Sequence, residues 1–175
     1  MKRFAGNKFS VLAGLLILSV VSITPVGQTE AIAALKKGQP APPLKVTTTS
    51  GQSISLANYK GFVLILDFFA SWCHPCVASI PHLIDINHKY GKQGLQVLGL
   101  SLDENKEDLV EFIAPKRLNY PVALADEELQ TSYGLRSIPT LVLIDKKGVV
   151  VDIFLGLTDD TAKNLEAAIK KLLAE

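Results

Sequence analysis

Apolar and polar positions fall into a small number of recognisable runs. Phe62 to Ala70 reads Phe-Val-Leu-Ile-Leu-Asp-Phe-Phe-Ala, and Leu95 to Leu102 is almost as apolar. Unbroken runs of this kind predict strands covered on both faces. Between them, Val77 to Tyr90 sets Val77, Ile80, Leu83-Ile84 and Asn87-His88 at mostly helical spacing, which predicts a helix. Asn105 to Arg117 gathers Leu109, Phe112 and Ile113 on one helical face. Tyr120 to Ala125 reads as a short strand and Glu127 to Tyr133 as a short helix. Thr140 to Asp145 and Val149 to Leu155 flank Lys146-Lys147-Gly148 as a hairpin. A last helix starts near Asp159 and buries Leu165, Ala168, Ile169 and Leu172. Asp at its start and Lys170-Lys171 near its end suit the helix dipole. Ahead of the first long strand, Gly38 to Pro43 is a stiff lead-in. Leu44 to Thr48 and Ser53 to Leu56 then flank Ser50-Gly51 as a short hairpin. Strand–helix alternation closed by a hairpin and a helix predicts an α/β fold with a mixed central sheet covered by helices.

Residues 1–33 follow a different pattern. Lys2, Arg3 and Lys8 precede the apolar run Val11 to Ile23, and Ala31-Ile32-Ala33 supplies a small-x-small site. That order describes a secretory signal peptide. The 13 residues of the run rise only about 20 Å as a helix, short of the roughly 30 Å hydrocarbon core. An uncleaved N-terminal membrane anchor is the rival reading, since Phe9 to Thr29 carries no charge. Both readings place residues 34–175, a single domain, outside the cytoplasm, and contact with a membrane is expected only if the anchor is retained. No Cys lies near the cleavage point, which excludes a lipid-modified N-terminus.

Composition narrows the function. The chain of 175 residues is 48% apolar and 20% charged, enough for one core and too apolar for disorder. A net charge of +1 gives no basis for nucleic-acid binding. Two cysteines are too few for a disulfide-dense scaffold or a four-thiolate zinc site.

Those two form Cys73-His74-Pro75-Cys76, where a buried strand gives way to a helix. Unpaired N–H groups at a helix start favour negative charge and lower the Cys73 pKa. Pro75 is tolerated because the first turn has no N–H bond to lose. Cys76 lies one turn further in, near enough to close a disulfide. An exposed attacking sulfur and a shielded resolving one are what thiol–disulfide exchange requires. His74, if cationic, would stabilise the thiolate and make the pair more oxidising. A purely structural bridge is a poor alternative, because closing so short a loop yields only about 2 kcal/mol. A zinc site with His82 and His88 matches no common spacing. Haem attachment would need a His at Val77.

Asp67 interrupts its apolar strand six residues before Cys73. A carboxylate there is costly unless it is protonated or partnered, and a buried acid behind a dithiol can carry protons to and from the inner sulfur. Pro139 opens another apolar strand, a position proline can occupy; the sequence alone leaves its isomer open.

Asp67-Phe68-Phe69-Ala70-Ser71-Trp72-Cys73-His74-Pro75-Cys76, followed by Pro81, resembles the active-site strand, turn and kinked helix of thioredoxin. Tyr133-Gly134-Leu135-Arg136-Ser137-Ile138-Pro139-Thr140-Leu141 resembles its cis-proline segment. The N-terminal hairpin, the helix and strand inserted between Asp103 and Ser132, and the export signal are similar to the TlpA/ResA group of extracytoplasmic thioredoxin-like proteins. The resemblance implies a three-layer fold, Cys73 as nucleophile, Cys76 as resolving thiol and Asp67 as buried acid. It further implies that Ile138 and Pro139 bind the client chain, and that Trp72 packs beside the dithiol. With His74 and Pro75 these complete the expected client surface.

The implied activity is thiol–disulfide exchange on exported proteins, most simply as a reductase. Apocytochrome c is a candidate client, a membrane thiol carrier the electron donor, and no cofactor or metal is implied. Two departures stand out. The TlpA/ResA group usually carries Asn where Asp67 stands, and the lysine that faces thioredoxin's acid falls at Gly99. A peroxidase of the peroxiredoxin type is a second reading, but Leu66 and Ala70 replace its Pro and its Thr or Ser. A third is a non-catalytic module using the dithiol as a soft metal ligand.

Overall fold

The computed structural model describes Met1 and residues 35–175. Apart from Met1, the signal peptide or anchor expected over residues 1–33 lies outside the described residues. Among them, no helix is long and apolar enough to cross a membrane.

The chain first forms an antiparallel hairpin, β1 (Lys45–Thr47) and β2 (Ser53–Ser55). There follow β3 (Val63–Phe69), α1 (His74–Tyr90), β4 (Leu95–Ser101), α2 (Lys106–Ile113), β5 (Val122–Leu124) and α3 (Glu127–Ser132). The chain closes with β6 (Thr140–Ile144), β7 (Val150–Leu155) and α4 (Asp159–Ala174). The main sheet has the order β5-β4-β3-β6-β7. Strands β3, β4 and β5 are parallel, and β6 is antiparallel to both β3 and β7. This is the mixed, helix-covered sheet expected, in three layers.

Every residue of β3 is buried, because it is central and both its faces are covered. Strand parity sorts its side chains into two cores. Val63, Ile65 and Phe69 join Leu83, Ile86, Leu109, Leu165 and Ile169 under α1, α2 and α4. Leu64, Leu66 and Phe68 join Leu44, Ile54, Tyr59 and Leu129 under the hairpin and α3. Asp67 therefore lies on the α1 side, between Ile65 and Phe69.

Two elements differ from expectation. Helix α1 starts at His74, and its buried residues are Cys76, Ser79, Ile80, Leu83, Ile86 and Tyr90. Val77 and Ile84 are half-buried and His88 is exposed, so the stripe is rotated from the one expected. Its phase is set at the start of the helix, where Cys76 must point inward to meet Cys73. Helix α2 stops at Ile113 and continues as a single tighter turn, Ala114–Lys116. Pro115 cannot donate an N–H to continue the α-helix, and Arg117 then turns left-handed at φ 51°.

Candidate active site

Strand β3 ends in the turn Ala70–Trp72, and Cys73 caps the N-terminus of α1. The Cys73 N–H donates to the Ala70 carbonyl at 3.2 Å. The Cys76 N–H points back at the Cys73 sulfur, 3.3 Å away. Cys73 and Cys76 are joined as a disulfide with a Cα–Cα distance of 5.2 Å. Cys73 is 7% exposed and Cys76 not at all, so the outer residue of the pair is the one open to solvent.

The helix start is electrostatically reserved for that sulfur. The first turns of α2, α3 and α4 each carry two acidic residues, whereas that of α1 carries none. Once the disulfide opens, the free amides and the helix dipole favour a thiolate on Cys73. Pro75 occupies the first turn, where no intrahelical N–H bond is lost. His74 is exposed beside the cysteines.

Asp67 is 1% exposed, and neither carboxyl oxygen has a hydrogen-bond partner among the described residues. Burial pushes its pKa from 3.8 up to about 7, because the charged form has lost its water. In register it stands opposite Gly99 on β4 and Leu141 on β6. A Cβ at Gly99 would meet Val122 Cγ2 at 3.1 Å, Phe69 Cε1 at 3.2 Å and Tyr120 Cε2 at 3.5 Å. The position of thioredoxin's lysine is thus closed off by side chains from β3, β5 and the Tyr120 loop.

The Ile138–Pro139 peptide bond is cis. Thr140 pairs with Phe68, so Pro139 stands at the end of β6 that adjoins the redox turn. The Thr140 hydroxyl donates to the Ser137 carbonyl at 2.7 Å, and Gly156 N–H to the Pro139 carbonyl at 2.8 Å. These bonds fix the segment from both sides. Ile138 is half-buried and Pro139 buried. Trp72, next to Cys73 in the chain, is 64% exposed and offers an aromatic surface at the turn.

Sequence reasoning missed Asp103. It is buried, and both its oxygens accept from Ser71 N, at 3.2 and 3.1 Å. It also accepts from the Ser71 hydroxyl at 2.6 Å and the Ser101 hydroxyl at 2.5 Å. The signal that could have found it was the polar Ser101-x-Asp103 at the carboxyl end of a parallel strand, where sites in open α/β sheets are built. His82, beyond Pro81 in α1, has a buried Nε2 without a partner among the described residues.

The chain matches the AhpC/TSA family over residues 37–153. It is 33% identical to the thiol-disulfide oxidoreductase ResA of Bacillus anthracis over 136 residues, covering 77% of this chain and 78% of the relative. It is 28% identical over 162 residues to the thioredoxin-like protein YneN of Bacillus subtilis, covering 89% and 94%. Among solved structures, a Chlorobium tepidum protein described as the thiol:disulfide interchange protein DsbE is 33% identical. It superposes with a TM-score of 0.76 over 80% of this chain and 99% of that one. A Bacteroides thetaiotaomicron protein described as a protein disulfide isomerase is 27% identical, with a TM-score of 0.74 over 81% and 92%.

Proposed function

The chain belongs to the AhpC/TSA family and is a thiol-disulfide oxidoreductase of the ResA type, and from that premise we propose that it works outside the cytoplasm, reducing disulfides in exported proteins. The observation that carries this reading is the Cys73–Cys76 pair itself. The outer sulfur caps a helix and receives an amide N–H, while the inner one is buried. The export pattern of residues 1–33 supports the location. Apocytochrome c is the proposed client and a membrane thiol carrier the proposed donor.

In the proposed cycle, the Cys73 thiolate attacks one sulfur of the client disulfide. The client S–S bond breaks, its second sulfur leaves as a thiolate that takes a proton from water, and a mixed disulfide forms. The Cys76 thiol gives its proton to the Asp67 carboxylate and attacks Cys73. The client's remaining thiolate departs, the Cys73–Cys76 disulfide closes, and two electrons have passed to the client. A donor dithiol reopens the pair by the same exchange in reverse. Trp72, His74, Pro75, Ile138 and Pro139 form the surface that holds the client across Cys73.

A peroxidase reading is opposed by Leu66 and Ala70, both fully buried and apolar, where such an enzyme needs polar help for a peroxide. The test is trapping. Cys76→Ser in the exported protein accumulates client mixed disulfides through Cys73, and Cys73→Ser does not. Absence of any trapped dithiol client would refute the reading.

A further inference from the structure

The Asp103 carboxyl group ties the turn that delivers Cys73 to the end of β4. Four of its contacts come from the two serines: Ser71 N to each oxygen, the Ser71 hydroxyl and the Ser101 hydroxyl. All three donor groups give to its oxygens. Its own N–H donates to Ser101 Oγ at 3.0 Å, and the neighbouring Leu102 N–H donates to the Phe69 carbonyl at 2.8 Å. The end of β4 therefore grips the end of β3 through both backbone and side chains. Ser71 lies two residues before Cys73, and the Cys73 N–H is itself tied back to Ala70. The carboxyl group is thus held in a buried place, bonded to the turn residue two positions before the sulfur that must ionise.

We propose that Asp103 is a positioning residue for the redox turn and, through its charge, holds the dithiol on the reducing side. The helix start lowers the Cys73 pKa, and Asp103 works against it. A thiolate beside a fixed carboxylate is less stable, so the reduced form is less stable and gives up its electrons more readily. Other titratable or charged groups on the elements meeting at the dithiol include His74 and His82 on α1, Asp67 on β3, Glu104 after β4 and Arg136 before Pro139. Of these, none shares Asp103's hydrogen bonds to the turn. The inference deepens the functional reading by giving the exchange a direction, and it rests on Cys73 being the attacking thiol.

The experiment compares Asp103→Asn and Ser71→Ala with the unaltered protein. Two quantities are read without any client: the pH profile of Cys73 alkylation, and the equilibrium of the pair with dithiothreitol. D103N removes the charge but keeps an oxygen for Ser71 N. It lowers the Cys73 pKa and shifts the equilibrium toward the dithiol by about threefold or more; tenfold corresponds to about 30 mV. S71A keeps the charge and loses one donor. It leaves the Cys73 pKa in place and slows client reduction. If D103N folds and neither quantity moves, or if S71A shifts the pKa as far as D103N, the proposal is overturned. The S71A arm stands even if D103N fails to fold. Failure of the functional reading shows elsewhere, as a lack of trapped client with Cys76→Ser, so the two failures are separable.

Discussion

Replacing Asp67 by asparagine should flatten the acid-to-neutral stability profile of this protein. The wild-type carboxyl has a pKa of about 7 folded against 3.8 in its ordinary state, with burial as the cause. Between those values the folded protein holds a proton that the unfolded chain has released. Stability therefore falls as pH rises through this window, and the loss is complete once pH passes the folded pKa. A difference of about three pKa units is worth about 4 kcal/mol at full development, and about 3 kcal/mol between pH 4.5 and pH 8. An asparagine side chain does not titrate, so the variant keeps only the slope due to other groups. The assay is urea unfolding of the oxidised protein at several pH values, comparing the midpoint gap between variant and wild type. The gap should move in the variant's favour by about 3 kcal/mol from pH 4.5 to pH 8. Parallel profiles would mean that Asp67 is ordinarily ionised in the fold, and would refute the reasoning from burial.

Other consequences follow from the same geometry. Asp67→Asn should slow resolution of a preformed mixed disulfide by on the order of a hundredfold at neutral pH, the usual scale for losing a positioned base; single-turnover client release measures it, and an unchanged rate denies Asp67 the proton role. Gly99→Ala should cost about 1–3 kcal/mol by overpacking, since its Cβ would sit 3.1 Å from Val122 and 3.2 Å from Phe69; denaturant midpoints report this. Glu166 accepts from Lys89 and from the Tyr90 hydroxyl, with Lys170 also near, and these partners hold its pKa down to about 2. Glu166→Gln should therefore lower the melting temperature above the ordinary Glu pKa of 4.5, and the gap should close as pH falls toward about 2.

The long buried strands were legible because β3 and β4 are covered on both faces and their sequences say so without interruption. The redox turn was legible because two cysteines at a strand-to-helix junction have few other uses. The phase of α1 was not, because the polar Asn87 and His88 fall at helical spacing with its apolar residues. Asn87 in fact reaches sideways to Asn119, a contact that periodicity does not encode. Asp103 was missed for a related reason. Its importance lies in contacts to Ser71, thirty-two residues away along the chain, and sequence spacing does not reveal contacts made through space. The sequence marks Gly99 as a missing lysine, but its meaning depends on the register that sets it against Asp67 and on the side chains that fill the space.

Exchange at this site depends above all on how readily the outer sulfur ionises. The direct measurement is the rate of iodoacetamide alkylation at Cys73 in the reduced protein as a function of pH, with the site mapped by mass spectrometry. The expected result is an apparent pKa below the ordinary thiol value of about 8.5, with Cys76 alkylated far more slowly. A Cys73 pKa at or above that value, or equal reactivity at both cysteines, would contradict the assignment of Cys73 as the activated nucleophile.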